Sequence, residues 1–192
     1  MIDKHAKPTK LLWLDLEMTG LEPDKDLILE VAALVTDFSF RPLASYEATL
    51  KQELQSVRLR MQQNSWWENY PVNRDAFLKS VGSGVLNSQV EQDLATIIDE
   101  QIKGEPAVLA GNSVHMDRAF IKQCWPALYQ KLHYRMLDVS AFKVLMQGKY
   151  GIEYQKQENH RAMGDIRESI TELQYYLKWF KANPEMVLTK VQ

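Results

Sequence analysis

The chain has 192 residues, of which 45% are apolar and 25% charged, and its formal net charge is −2 at pH 7. This composition is typical of a soluble globular protein, and we expect one domain over residues 1–192 with its core at about 10–182. No apolar run approaches the roughly 20 residues of a membrane helix. No basic stripe for tracking long nucleic acids is visible, so a nucleic-acid substrate would be short and held locally, unless folding gathers positive charge on one face.

The termini and the cysteine content bear on location. Residues 1–7 are polar and lead into a strand, so we expect no signal peptide. Cys124 is the only cysteine, which excludes an intramolecular disulfide and a thiolate metal cluster and fits a reducing cytoplasm. It lies in a helical apolar segment, which favours a buried small residue over a nucleophile.

Four strands are predicted along the chain. The apolar run at residues 11–16 ends at Thr-Gly and suits a buried strand, and the segments 28–36 and 43–50 follow as two more strands. A short buried strand at residues 107–110 ends at a glycine. The strands therefore come mainly before the helices.

Helices are predicted at residues 90–102, 116–123, 140–146 and 165–181, the last of which has apolar residues at helical spacing. Residues 53–89 break any single period and are interpreted as short helices joined by loops. Strands come first and then alternate with helices, which predicts an α/β fold with a mixed central sheet flanked by helices.

Two acids interrupt the first predicted strand. Asp15 and Glu17 are two residues apart, and residues i and i+2 of a strand point to the same face. Adjacent carboxylates repel each other, so a buried pair favours a bound cation, and oxygen ligands suit Mg²⁺ or Mn²⁺. A solvated strand edge is the alternative, but the surrounding strand is hydrophobic, which favours the metal interpretation.

Three more candidates follow later in the chain. His160 and Asp165 are five residues apart, which is a turn of roughly 140° on one helix, so both cannot face one site from inside it. We therefore place Asp165 in the first turn of the last helix and His160 in the loop before it, where an imidazole can accept a proton from water. Asp117 follows the strand at 107–110, at a strand end where sites collect. Considered alone, His160 is more typical of a helix cap or a surface residue, and Asp117 is more typical of an acid at the start of a helix.

These residues lie in three segments that resemble the motifs of the DEDDh 3′→5′ exonucleases. The segments are residues 13–21 (WLDLEMTGL), 111–117 (GNSVHMD) and 160–169 (HRAMGDIRES). Within that superfamily, the Glu-Met-Thr-Gly-Leu form and residues 133–140 (HYRMLDVS) are similar to the oligoribonuclease branch.

The resemblance implies an RNase H-like fold and 3′→5′ hydrolysis of short single-stranded oligoribonucleotides, including dinucleotides, to 5′-mononucleotides. Asp15, Glu17, Asp117 and Asp165 would hold two divalent cations, Mg²⁺ or Mn²⁺, with Asp15 bridging them. His160 would deprotonate the attacking water. Four carboxylates and one base are what two-metal hydrolysis of a phosphodiester requires.

The resemblance also implies substrate contacts and a homodimer. Leu21 would wedge against the bases, and Ser113, Arg135 and Ser140 would bind the 5′ phosphate, for which the planar fork of arginine is suited. Tyr134 would reach across the homodimer to the partner's site.

The middle of the chain departs from the family pattern. The family has a stacking tryptophan followed by a histidine five residues on, whereas here Trp66 and Trp67 compete for the first role and Pro71 and Val72 stand at the histidine positions. We favour one core tryptophan and one stacking tryptophan over two stacking residues. Since stacking contributes about 1–3 kcal/mol per base, this segment bears on substrate choice, and a preference for longer RNA 3′ ends stays open. A preference for DNA also stays open, because nothing in the sequence reads a 2′-hydroxyl. A catalytically silent nucleotide-binding protein fits less well, because all five site residues are present.

Overall fold

A five-stranded mixed sheet forms the centre of the computed structural model, which describes residues 7–155 and 161–187. The strands are β1 (Lys10–Met18), β2 (Ile28–Asp37), β3 (Pro42–Thr49), β4 (Ala107–Gly111) and β5 (Leu132–Asp138), in the spatial order β3-β2-β1-β4-β5. β1 pairs antiparallel with β2 and parallel with β4, so the pairing changes from antiparallel to parallel at β1. The four predicted strands are confirmed.

Helices cover both faces of this sheet. They are α1 (Leu54–Gln62), α2 (Trp66–Asn69), α3 (Pro71–Ser80), α4 (Asn87–Gln101), α5 (His115–Cys124), α6 (Pro126–Tyr129), α7 (Val139–Tyr150), α8 (Ala162–Ala182) and α9 (Pro184–Val187). Among the described residues, no helix combines the length and apolar character that a membrane crossing requires. The predicted α/β class is confirmed, as are the four predicted helices and the short helices between residues 53 and 89.

The two faces of β1 pack into different cores. Leu12, Leu14 and Leu16 belong to a core cluster shared with α4 and α5. Leu11 and Trp13 belong to a second cluster, shared with α7 and α8. Because side chains alternate along a strand, the residues that follow Trp13 on its face are Asp15 and Glu17, which confirms the prediction that they share one face. α8 covers this face.

β5 is a strand that the sequence pattern does not predict. It begins with buried Leu132 and His133 and continues with exposed Tyr134 and Arg135, so it shows neither alternation nor an apolar run. It lies at the edge of the sheet, where burial imposes no regular pattern.

Cys124 is half-buried at the end of α5, whereas the sequence predicts a buried residue. Its neighbours are those of the first core cluster, and burial raises the pKa of its thiol. A raised thiol pKa disfavours the nucleophilic thiolate, which supports packing over reactivity.

Candidate active site

Three carboxylates meet where the carboxyl end of β1 approaches the start of α8. Asp15 and Glu17 lie on β1 and Asp165 in the first turn of α8, as predicted, and each offers an oxygen within 4.8 Å of the others. α8 packs on β1 and β2, which brings its N-terminus beside the acids of β1. The partial positive charge of a helix N-terminus stabilises carboxylates placed there.

Asp117 lies beside this cluster, in the first turn of α5. It is buried, and its Oδ1 accepts a hydrogen bond of 2.9 Å from the backbone amide of Leu16. β1 pairs with β4 only from Leu11 to Trp13, so Asp117 contacts the part of β1 that extends beyond the pairing. Burial and then the charge of Asp15 raise the pKa of Asp117 well above its usual range. All four predicted acids therefore converge on one end of β1.

The electrostatics of the cluster favour a cation. Burial, followed by the charges of Asp15 and Asp165, raises the pKa of Glu17 to about 8. Like charges in a buried site oppose one another's ionisation, and a divalent cation with oxygen ligands offsets that repulsion. The carboxylates thus fit a hard divalent metal. The predicted base, His160, lies outside the described residues.

A buried acid that was not predicted from the sequence lies next to the cluster. Glu30 pairs with Glu17 across β1 and β2 and is only 5% exposed. Its carboxylate accepts hydrogen bonds from the side chain of Arg161 and from the amide of Ala162. The available signal was a glutamate within the apolar run at residues 28–35 of β2, the same kind of interruption that identified Asp15 on β1.

Leu21 lies 65% exposed in a turn that immediately follows β1. Asp26 fixes this turn, because its carboxylate accepts hydrogen bonds of 2.9 Å from the Thr19 hydroxyl and from the Glu22 amide. A Cβ at Gly20 would lie 2.5 Å from the Asp26 carboxylate, so a larger residue there would displace the side chain that fixes the turn. The loop therefore presents Leu21 to solvent in a defined position.

The two tryptophans have different environments. Trp67 is 1% exposed, packs edge-on to Phe77, and donates a hydrogen bond of 2.9 Å to the carbonyl of Thr19. The prediction of Trp67 as a substrate contact is therefore wrong, because its ring is enclosed by α1 and α3. Trp66 is half-buried, with its ring 4.3 Å from that of Tyr70. One core and one accessible tryptophan is the arrangement that the sequence favoured.

A small cavity lies between Trp66 and Glu17, one of the four acids. Its lining includes Glu17, Leu21, Asn64 and Trp66. It is mostly apolar, with Glu17 and Asn64 as its polar side chains, which suits a flat base next to a reacting phosphate. We call it the base cavity.

The predicted phosphate contacts fall into two groups. The hydroxyl oxygens of Ser113 and Ser140 are 3.1 Å apart, and the Ser113 amide donates to the Ser140 hydroxyl at 2.8 Å. Arg135 and Tyr134 lie together on β5, both exposed, with the guanidinium carbon of Arg135 5.1 Å from the centre of the Tyr134 ring. The structure thus brings Ser113 and Ser140 together, and it pairs Arg135 with Tyr134.

The chain is similar to known nucleases over most of its length. The family model described as "Exonuclease" (RNase_T) matches residues 12–173, so fold and acidic site together define a nuclease that hydrolyses phosphodiester bonds. The chain is 37% identical to an oligoribonuclease of Corynebacterium glutamicum (strain R), over 93% of this chain and 84% of that protein. It is 36% identical to the mitochondrial oligoribonuclease of Homo sapiens, over 87% of this chain and 71% of that protein. The chain therefore belongs to the oligoribonuclease family.

Solved structures give the same fold. Escherichia coli exonuclease I, in complex with a 5cy-dT13 oligonucleotide, superposes with a TM-score of 0.63 at 12% identity over 94% of this chain. Exonuclease I of Methylocaldum szegediense gives 0.60 at 15% identity over 92% of the chain. This chain spans only 42% and 41% of those longer nucleases. The RNase H-like fold is confirmed.

Proposed function

We propose that this chain is a 3′→5′ exoribonuclease that degrades short oligoribonucleotides, including dinucleotides, to 5′-mononucleotides. The observation that carries the proposal is the convergence of Asp15, Glu17 and Asp165 within 4.8 Å, with buried Asp117 beside them. The relatives are named oligoribonucleases, and several structural neighbours are bound to single-stranded oligonucleotides, which supports a single-stranded nucleic-acid substrate.

The four acids would hold two divalent cations, Mg²⁺ or Mn²⁺. Asp15 interacts electrostatically with both Glu17 and Asp117, which suits a ligand shared between two ions. When bound, such ions stabilise the attacking and leaving oxygens of an in-line displacement. His160, five residues before Asp165 in sequence, would accept the proton of the attacking water, since an imidazole is half-protonated near pH 6.5.

Substrate contacts extend from this centre in two directions. Leu21 and Trp66 line the base cavity and would hold a base of the substrate. Ser113, Ser140 and exposed Arg135 would bind the 5′ phosphate, where an arginine fork and hydroxyl donors match phosphate oxygens. Gripping both ends of a very short strand needs no extended basic surface, which agrees with the net charge of −2.

A time course on 5′-labelled RNAs of two to seven nucleotides tests this function. With Mg²⁺ or Mn²⁺ we expect a ladder that shortens by one nucleotide at a time and ends at the labelled mononucleotide, and EDTA should abolish it. Labelled mononucleotide released at once from the longest RNA would indicate attack from the 5′ end, and cleavage in EDTA would exclude the metal mechanism. Matched deoxyribonucleotides separate RNA from DNA specificity, and complete inactivity would favour a silent binding protein.

The affinity for the metal should rise with pH. In the metal-free protein the pKa of Glu17 is about 8 in the folded state, compared with about 4.5 in the unfolded chain. The stability that the protonated side chain contributes is therefore complete below pH 4.5 and is lost as the pH rises through about 8. A cation binds the carboxylate and competes with the proton. We therefore expect Mg²⁺ to raise the unfolding temperature more at about pH 9 than at about pH 6. Equal increments at both pH values would contradict this, and Glu17→Gln should weaken the dependence.

A homodimer is part of the proposal, with Tyr134 of one protomer reaching the partner's site. Tyr134 is 58% exposed on the edge strand β5 and stacks on His133, so its ring is available to a second chain. Tyr134→Ala should lower kcat/KM about tenfold, within the range for loss of one stacked aromatic. Tyr175→Ala, which removes another exposed tyrosine, on α8, is the matched control. A fully active wild-type monomer in light scattering would refute the dimer.

The same proposal places one domain over the chain in a reducing, cytoplasmic setting. The central sheet joins strands from both halves of the chain, which supports a single domain. The half-buried free thiol of Cys124 is consistent with reducing conditions.

A further inference from the structure

Glu30 is a buried carboxylate that binds the beginning of α8 from a distant strand. Its Oε2 accepts hydrogen bonds from the Arg161 side chain, at 2.8 Å from Nη2 and 3.0 Å from Nε. Its Oε1 accepts the backbone amide of Ala162 at 3.1 Å. The Glu30 side chain is 7% exposed, whereas that of Arg161 is 59% exposed. A bidentate pair of this kind fixes orientation as well as distance.

These contacts supply the cap that α8 lacks locally. Arg161 occupies the N-cap position in an extended conformation, and its own side chain makes no capping hydrogen bond. The first amides of a helix have no partner within the helix, so the amide of Ala162 needs an external acceptor. Glu30 provides it from β2, and the start of α8 is thereby tied to the sheet.

Asp165 lies within the turn that is tied down in this way. Its backbone amide donates a hydrogen bond of 3.0 Å to the carbonyl of Arg161. Glu30 is also the cross-strand partner of Glu17, so one strand pair positions Glu17 and, through Arg161, the helix that carries Asp165. We propose that Glu30 and Arg161 are positioning residues that set the distance between the acids of β1 and Asp165. This inference rests on the proposed function.

The Glu30–Arg161 pair has no net charge, which favours a role in placing Asp165 over an electrostatic effect on the acid cluster. Glu30 alone would add a negative charge to an acid cluster, and Arg161 compensates it, so the pair is neutral overall. Only the Glu30 end of the pair is buried, and a half-exposed ion pair contributes little net stability, whereas its hydrogen bonds fix where the start of α8 lies relative to β2. The Glu30–Arg161 pair therefore matters for where Asp165 lies.

Three variants separate positioning from charge: Glu30→Gln, Arg161→Gln and the double variant. The measurements are kcat and KM on a dinucleotide, and Mg²⁺ affinity by calorimetry without substrate. Positioning predicts that all three lower kcat about tenfold, the usual lower range for residues that orient metal ligands, with KM within twofold. It also predicts weaker Mg²⁺ binding in all three, and a double variant no worse than the single variants.

A pure charge effect predicts a different pattern. Glu30→Gln would weaken Mg²⁺ binding, Arg161→Gln would strengthen it, and the neutral double variant would resemble wild type; this pattern would overturn the inference. Arg161→Lys keeps the charge but not the fork, and should recover activity only in part. Glu47→Gln, an exposed acid that interacts with Arg161 only electrostatically, is the control and should leave kcat unchanged.

Separate control experiments distinguish a folding defect from a loss of function. Thermal unfolding is recorded for each variant, and if Glu30→Gln fails to fold, the exposed Arg161 variants carry the test. Wild-type inactivity would count against the proposed function. Active wild type with fully active Arg161 variants would count against the positioning role alone.

Discussion

Replacing Asp15 by asparagine is expected to lower kcat on a dinucleotide by about a thousandfold or more. Asp15 lies within 4.8 Å of Glu17 and Asp165 and interacts electrostatically with Asp117, so its loss would affect both proposed metal positions. Metal ions contribute several kcal/mol to stabilising the transition state, and about 4 kcal/mol corresponds to a thousandfold in rate. Initial rates with saturating Mg²⁺, together with calorimetric Mg²⁺ titration, measure both effects.

The fold should survive this substitution. The charge of Asp15 raises the pKa of both Glu17 and Asp117, so its removal relieves repulsion, and we expect the metal-free unfolding temperature to stay the same or rise. The matched control is Asp99→Asn on α4, across the sheet, where an exposed carboxylate pairs with Lys131 at 2.6 Å. It should retain wild-type rates, because exposed pairs contribute at most about 1 kcal/mol. An Asp15→Asn variant with half the wild-type rate would refute the assignment.

The sequence predicts the acids of β1 because a strand has a short, fixed period. Asp15 and Glu17 must share a face whatever the rest of the fold does, and the structure confirms it. Asp117 and Asp165 are different, since their own segments give only a strand end and a helix first turn. Their approach to β1 depends on β4 lying beside β1 and on α8 crossing the same face, and only family motifs indicate that arrangement in advance.

Other features depend on tertiary contacts that no local pattern encodes. β5 lacks periodicity because it is an edge strand with exposed Tyr134 and Arg135. The strand that contains Glu30 was predicted correctly, but the role of Glu30 was not, because its partner Arg161 lies 131 residues away in the sequence. A long-range ion pair leaves at most one anomaly in sequence, a charged residue where the strand should be apolar.

The two tryptophans should respond to substitution in opposite ways. Trp67→Ala is expected to reduce the free energy of unfolding by about 3–5 kcal/mol, since it removes a buried ring and leaves a cavity. It also removes the hydrogen bond to the carbonyl of Thr19, on the loop that leads to Leu21. Urea unfolding followed by far-UV circular dichroism measures the loss, which should appear as a lower midpoint with an unchanged slope.

Trp66→Ala should instead affect the substrate. Trp66 is half-buried and lines the base cavity with Glu17 and Leu21, so we expect kcat/KM on dinucleotides to fall by about 10- to 100-fold, equivalent to about 1–3 kcal/mol of base stacking. Trp66→Phe keeps an aromatic face and is the control, with most of the activity retained. The free energy of unfolding should change less than for Trp67→Ala.

The family histidine is absent from this segment, and Trp66→Ala tests whether Trp66 sets the substrate length preference there. If Trp66→Ala slows dinucleotides and heptanucleotides equally, the ring holds a base that every substrate presents at its 3′ end. If dinucleotides are slowed more, the Trp66 ring compensates for the few contacts that a short strand can make, and the segment sets length preference. Full activity of Trp66→Ala on both lengths would remove Trp66 from the site and leave the base contact to Leu21, a large and exposed side chain that lines the same cavity.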